Sequence, residues 1–138
     1  TEITDSVNAL SKLTGRPTML FRPPYGAHNE RIDAMMAKQN LAMINWAADS
    51  NDWQNRDAGK ITKAVSQYAA TYTQPIIVLH DTYQATADAT SGLIEALRHK
   101  GMTLVTVSEL TVNTGGLEAG KVYCRGTAVN QSGFGCHS

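Results

Sequence analysis

Pro75-Ile76-Ile77-Val78-Leu79-His80-Asp81-Thr82 is the most strand-like stretch of the chain, four apolar residues opened by a proline and closed by an imidazole and a carboxylate. Ahead of it, Asp57 precedes a helix whose stripe carries Ile61, Ala64, Val65, Tyr68 and Tyr72. Behind it, a helix over about Ala87 to His99 stops at Gly101, and Met102 to Val107 reads as another strand. The same alternation runs back towards the start. Leu41 to Ala48 predicts a buried strand, Asn29 caps a helix carrying Ile32, Met35 and Met36 inward, and Met19-Leu20-Phe21 predicts a short strand after Pro17. A first helix is expected from Asp5 to Leu13, with Ile3, Val7, Leu10 and Leu13 at helical spacing, Thr4 or Asp5 as cap and Gly15 as stop. Strands beginning near 19, 41, 76 and 102, each but the last followed by a helix, predict an α/β fold of successive βα units, a parallel sheet or part of a barrel. Their continuous apolar character suits strands buried on both faces. Ser108-Glu109-Leu110 predicts a last helical turn, which divides the chain into a domain portion over 1–112 and a Gly-rich tail over 113–138.

Composition narrows the function. With 138 residues, 42% hydrophobic and 17% charged, the chain suits one globular domain. Twelve basic against twelve acidic side chains cancel, so no basic surface calls for nucleic acid or anionic lipid. The longest strictly apolar runs, such as Ile76 to Leu79, are far short of the roughly 18 residues a membrane helix needs. Cys124 and Cys136, with eleven residues between them and no other cysteine in the chain, suggest a disulfide and an oxidising compartment. Two free thiols are the alternative. A two-cysteine metal site finds a further ligand nearby only in His137. The opening Thr-Glu-Ile-Thr-Asp, without Met or an apolar leader, is expected of a processed or excised polypeptide.

In βα architectures the working residues follow the strands' carboxyl ends, and three loops stand there. Phe21-Arg22-Pro23-Pro24-Tyr25-Gly26 holds Arg22 on a loop stiffened by two prolines, although a structural turn with a surface arginine has the same composition. Trp46-Ala47-Ala48-Asp49-Ser50-Asn51-Asp52-Trp53 places two carboxylates three residues apart. Asp49 reads equally well as a turn-former, whereas Asp52 beside the Trp53 indole can orient a catalytic group next to a sugar-binding wall. Leu79-His80-Asp81 supplies an imidazole fixed by the sheet yet open to the site; a satisfied core histidine is the alternative. His99, between Arg98 and Lys100, reads as helix-end electrostatics.

Taken in order, Arg22-Pro23-Pro24-Tyr25, Asp49-Ser50-Asn51-Asp52-Trp53 and Leu79-His80 resemble the third, fourth and fifth motifs of the polysaccharide deacetylases of carbohydrate esterase family 4, the NodB-homology domain. Ser108-Glu109-Leu110 followed by Gly120-Lys121-Val122-Tyr123 is similar to the closing segment of bacterial members, so the resemblance covers essentially the whole chain. It implies a distorted (β/α) barrel that removes acetyl groups from N- or O-acetylated sugars with a divalent metal, usually zinc. The catalytic set it implies is His80, Asp52 and Arg22. His80 is then the general acid, Asp52 tunes and orients it with Asp49 as the less favoured candidate, and Arg22 braces the carboxylate that serves as base. The Tyr25 N–H then helps hold the oxyanion, while Leu79 and Trp53 line the acetyl pocket. Hydrolysis of an amide or ester needs an activated water, a stabilised oxyanion and a proton for the leaving group, the last being work for a histidine beside a carboxylate.

Two family motifs are missing. No Thr-Phe-Asp-Asp-Gly and no His-x-x-x-His occur, and His28, His80, His99 and His137 include no pair at ligand spacing. The expectation is the carboxyl-terminal portion of a deacetylase acting on chitin-type, peptidoglycan or acetylxylan glycans. Its N-terminal strands, base and metal ligands then lie in a segment outside this chain, which by itself is inactive. No metal ligand is expected within it, and a secreted or cell-surface location follows from the cysteines and a polymeric substrate. Two other classes remain open. A glycoside hydrolase would use a pair among Asp49, Asp52 and Asp81, and a non-catalytic carbohydrate-binding domain would use Trp53 and its polar neighbours.

Overall fold

In the computed structural model, residues 2–129 and Cys136 are described. Helix α1, Glu2–Thr14, has Glu2 and Asp5 in its first turn and Lys12 in its last, each on the side that complements the helix dipole. Ile3 and Val7 pack on a core of Met36, Leu41, Met43 and Val122. Leu10 and Leu13, expected on the same stripe, are exposed. The core under α1 reaches only its first two turns. Strand β1, Leu20–Phe21, leads through a one-turn 3-10 helix at Pro24–Gly26 to α2, Glu30–Lys38, where the Asn29 carboxamide accepts the Ile32 N–H at 3.0 Å as expected of a cap.

The apolar run from Leu41 to Ala48 does not form one strand. It makes β2, Ala42–Ile44, and β3, Ala48–Asp49, which belong to different sheets. Between them the backbone changes neighbours: the Asn45 N–H donates to Tyr123 O at 2.8 Å, and two residues on the Ala47 N–H donates to Ile76 O at 3.0 Å. The buried Asn45 side chain turns aside to donate to Gly26 O at 3.0 Å. Periodicity reports burial, and this run is buried on both sides of the switch.

Beyond it come α3, Asp52–Asn55, then α4, Ala58–Thr71, capped by Asp57 on the Lys60 N–H at 2.8 Å. Strand β4, Ile77–Val78, and α5, Gln84–His99, follow. Helices α4 and α5 share a core of Val65, Ala69, Leu93 and Leu97, on which Ile77, Leu79 and Met102 also pack. Tyr68, placed by its spacing on the inner stripe of α4, is exposed.

Met102 to Val107 forms no strand. The Met102 N–H returns to Leu97 O to finish α5, and Thr106 with Glu109 makes a capping box that opens α6, Val107–Thr111. Leu104 and Val105 between these are exposed, beside a cleft of about 520 Å³ lined by Ile76, Ile77, Leu97 and Met102. With both flanks committed to helices and no strand paired beside β4 on this side, the segment has no ladder to join.

Two strands stand where none was expected, β5, Val122–Tyr123, and β6, Ala128–Val129. They are too short for periodicity to register, yet β5 lies inside the sheet, which runs β1-β2-β5-β6 with β1, β2 and β5 parallel and β6 antiparallel. Strands β3 and β4 pair in parallel, Ala48 opposite Ile77 and Asp49 opposite Val78. The architecture is α/β, part of a barrel with parallel strands. Cys124 and Cys136 stand 5.9 Å apart at Cα, a separation a disulfide spans. His137 lies outside the described residues. Among the described residues no helix is long and apolar enough to cross a membrane.

Candidate active site

Parallel β3 and β4 end side by side, so the residues that follow them converge. After β3 the chain makes a tight turn in which the Asp49 carboxylate accepts the Asn51 N–H at 2.8 Å, and Asn51 takes a left-handed φ of 51°. That turn sends Asp52 inward at the head of α3, where it is fully buried. After β4 the next residue but one is His80, whose side chain remains 31% exposed.

The Asp52 carboxylate receives four donors. The His80 N–H and the Thr86 hydroxyl donate to Oδ2 at 2.6 and 2.8 Å, while His80 Nδ1 and the Trp53 N–H meet Oδ1 at 2.7 and 2.9 Å. Burial pushes the Asp52 pKa up, but the bonds from His80, Thr86 and Ser50 outweigh it and hold the group at about 2, against an ordinary 3.8. Asp52 is therefore a carboxylate at neutral pH and can only accept. It follows that Nδ1 carries the hydrogen and that Nε2, in a side chain left partly exposed, is the nitrogen left to exchange a proton. Tyr83 stands edge-on to the imidazole at a centroid distance of 6.2 Å, with Arg56 stacked over Tyr83 at 5.2 Å.

Asp49, the other carboxylate of the loop, has a different occupation. Its Oδ2 accepts the Trp46 indole N–H at 3.0 Å and its Oδ1 the Asn51 amide, so it shapes the turn. Arg22 is exposed, with its guanidinium 5.9 Å from the centre of the Trp46 ring. Trp46 thus links the arginine loop to the aspartate loop. Gly26, at φ 69°, lies under the same indole, where an added Cβ would stand 3.2 Å from it. Tyr25 is 88% exposed at a left-handed φ of 58°, and Trp53 is 50% exposed. Leu79 packs partly into the α4–α5 core.

Of the residues expected at the site, Asp52, Trp53 and His80 are in direct contact, whereas Asp49 reaches neither His80 nor Asp52 through any hydrogen bond among the described residues. Ser50, Thr86 and Trp46 were not foreseen. Ser50 stands inside the Asp49–Trp53 motif but was given no role, Thr86 is a buried polar residue with no motif spacing, and Trp46 could have been found only from its position three residues before Asp49. Asp52 is hydrogen-bonded to His80 and Asp49 is engaged in its turn, an arrangement that favours a carboxylate-oriented histidine over a glycosidase pair between these two. Among the described residues no group of three His, Cys, Asp or Glu is placed to hold a metal, so the site does not by itself fit one.

The polysaccharide deacetylase family profile matches residues 1–44. The peptidoglycan-N-acetylmuramic acid deacetylase PdaC of Bacillus subtilis is 35% identical over 79% of this chain, and the peptidoglycan-N-acetylglucosamine deacetylase PgdA of Listeria monocytogenes 32% over 88%. The chain spans 22% and 25% of the length of those two relatives. Among solved structures, a family 4 carbohydrate esterase from Streptomyces lividans in complex with acetate is 31% identical with a TM-score of 0.70, the match covering 86% of this chain and 58% of that one. A T48 deacetylase with substrate superposes at a TM-score of 0.74 and 27% identity, covering 85% of this chain and 56% of that one. With its three motif loops at strand ends of this fold, the chain belongs to the polysaccharide deacetylases of carbohydrate esterase family 4.

Proposed function

We propose that this chain supplies the proton-donor half of a deacetylase that hydrolyses acetyl groups from a structural glycan, peptidoglycan first. One observation carries the proposal: the buried Asp52 carboxylate fixes His80 through Nδ1, and Nε2 of the partly exposed imidazole has no hydrogen bond among the described residues. That is the arrangement needed to protonate a departing amine or alkoxide. Peptidoglycan is favoured by the names of PdaC and PgdA, and xylan by a bifunctional xylanase/xylan deacetylase of Cellvibrio japonicus, 35% identical over 63% of this chain.

In this scheme the acetyl carbonyl is attacked by water, His80 gives its Nε2 proton to the leaving group, and Asp52 stabilises the imidazole while it is charged. Trp53 and Tyr25, both exposed, offer aromatic surface to a sugar, the Tyr25 N–H serves the oxyanion, and Leu79 turns its uncovered flank to the acetyl methyl. Arg22 stands ready to brace a carboxylate base. That base, the divalent metal of the family and its ligands would come from a preceding segment of the same domain. A Cys124–Cys136 disulfide and a secreted or cell-surface location complete the proposal.

The test is acetate release from N-acetylated peptidoglycan, chitooligosaccharide and acetylxylan by the polypeptide in its natural length. The expected result is turnover on at least one glycan, lowered roughly 100-fold to 10,000-fold by His80→Ala. Unchanged turnover in that variant, or no acetate from any of the three, overturns the proposal.

A further inference from the structure

Thr86 differs from four other helical threonines because, as the third residue of α5, it has no helical carbonyl four residues behind it. Thr14, Thr62, Thr71 and Thr90 each donate their hydroxyl back to the carbonyl four residues earlier, at 2.9, 2.9, 3.1 and 2.8 Å. This is the ordinary resting place of a helical threonine. Thr86, in the first turn of α5 and buried, instead sends its hydroxyl out of the helix to Asp52 Oδ2. That turn has no acidic residue and Tyr83 gives it no side-chain cap, so the negative charge that suits a helix start arrives from Asp52 on another element.

We propose that Thr86 is a positioning residue of the proton-donor pair, its hydroxyl locking the rotation of the Asp52 carboxylate so that Oδ1 faces His80 Nδ1. A carboxylate can turn about its last torsion, which has only a broad preference. Here Oδ2 is pinned by the His80 N–H and the Thr86 hydroxyl, leaving Oδ1 to the imidazole and the Trp53 N–H. Without the hydroxyl, one oxygen loses half its donors. His80 is the ionisable group bonded to Asp52; Tyr83 with Arg56 stands behind the imidazole, Asp81 follows it in sequence, and Asp49 is engaged by Trp46. The catalytic part of this role rests on the proposed deacetylation; the positioning part does not.

The experiment is an NMR titration of the Asp52 carboxyl carbon in the 138-residue chain and its Thr86→Val and Thr86→Ser variants. Losing one of several donors is expected to raise the Asp52 midpoint by roughly half a unit to one unit in Thr86→Val, and Thr86→Ser is expected to restore it. An unchanged midpoint in a folded Thr86→Val chain overturns the proposal. Should that variant fail to fold, the unaltered chain decides: a Thr86 hydroxyl proton exchanging with water as fast as that of an exposed threonine overturns it, and a slowly exchanging one coupled to the Asp52 carboxyl carbon supports it. In the acetate-releasing polypeptide Thr86→Val lowers kcat with little change in KM. No release by the unaltered polypeptide defeats the deacetylase assignment alone and leaves the titration to stand.

Discussion

The surroundings of Asp52 and those of Arg22 lie at the ends of neighbouring βα units and differ in how much of their chemistry this chain supplies. Around Asp52, four donors from His80, Trp53 and Thr86 converge on one buried carboxylate. Around Arg22 there is a rigid proline turn and an indole at 5.9 Å, with no carboxylate in salt-bridge contact among the described residues. In the proposed deacetylation, which needs both a proton donor and an activated water, the described residues build the donor side. The lesson is energetic too, since the Asp52 region ties its polar groups into the buried interior.

Removing Asp52 is the harshest way to test that contrast. Asp52→Ala strands the His80 N–H and the Thr86 hydroxyl in a buried pocket, and chemical denaturation should show a loss of roughly 3 kcal/mol. A loss under 1 kcal/mol would mean that water satisfies the pocket and that the region is not built around the carboxylate. Acid provides a milder probe. The folded Asp52 titrates at about 2 against 3.8, so the unfolded chain takes up the proton first as pH falls. The stabilisation, roughly 2 kcal/mol, is therefore present above about pH 4 and is lost as pH drops towards 2. Denaturation midpoints across that window should fall in the unaltered chain and stay flatter in Asp52→Asn. Smallest of all is Arg22→Ala, whose exposed side chain should leave stability within about 0.5 kcal/mol of the unaltered chain. A larger loss would show that the arginine, too, holds the fold.

Much of this was legible in the residues. Asn29 and Asp57 cap helices as their positions predict, because capping is decided within one turn of chain. His80 and Asp52 meet because both follow buried strands, and βα logic sends such residues to one end of the sheet. Long-range partnership was not legible. Nothing local distinguishes the Ala47 amide, which pairs with Ile76, from the Asn45 amide, which pairs with Tyr123, so Leu41 to Ala48 read as one strand. Met102 to Val107 has the composition of a strand but no neighbouring strand to pair with, and its two ends are drawn into α5 and α6. Strand β5 is the converse, two residues whose partners make them a strand. Thr86 escaped notice because no local spacing links it to Asp52, 34 residues away in the chain.

The central claim is that Asp52 holds His80 with the hydrogen on Nδ1 and Nε2 free. Nitrogen-15 NMR of the imidazole in its neutral form measures this directly. The account predicts a protonated Nδ1, coupled to its hydrogen, and a bare Nε2. An Nε2–H tautomer, or one resonance pair averaged between the two forms, would contradict it.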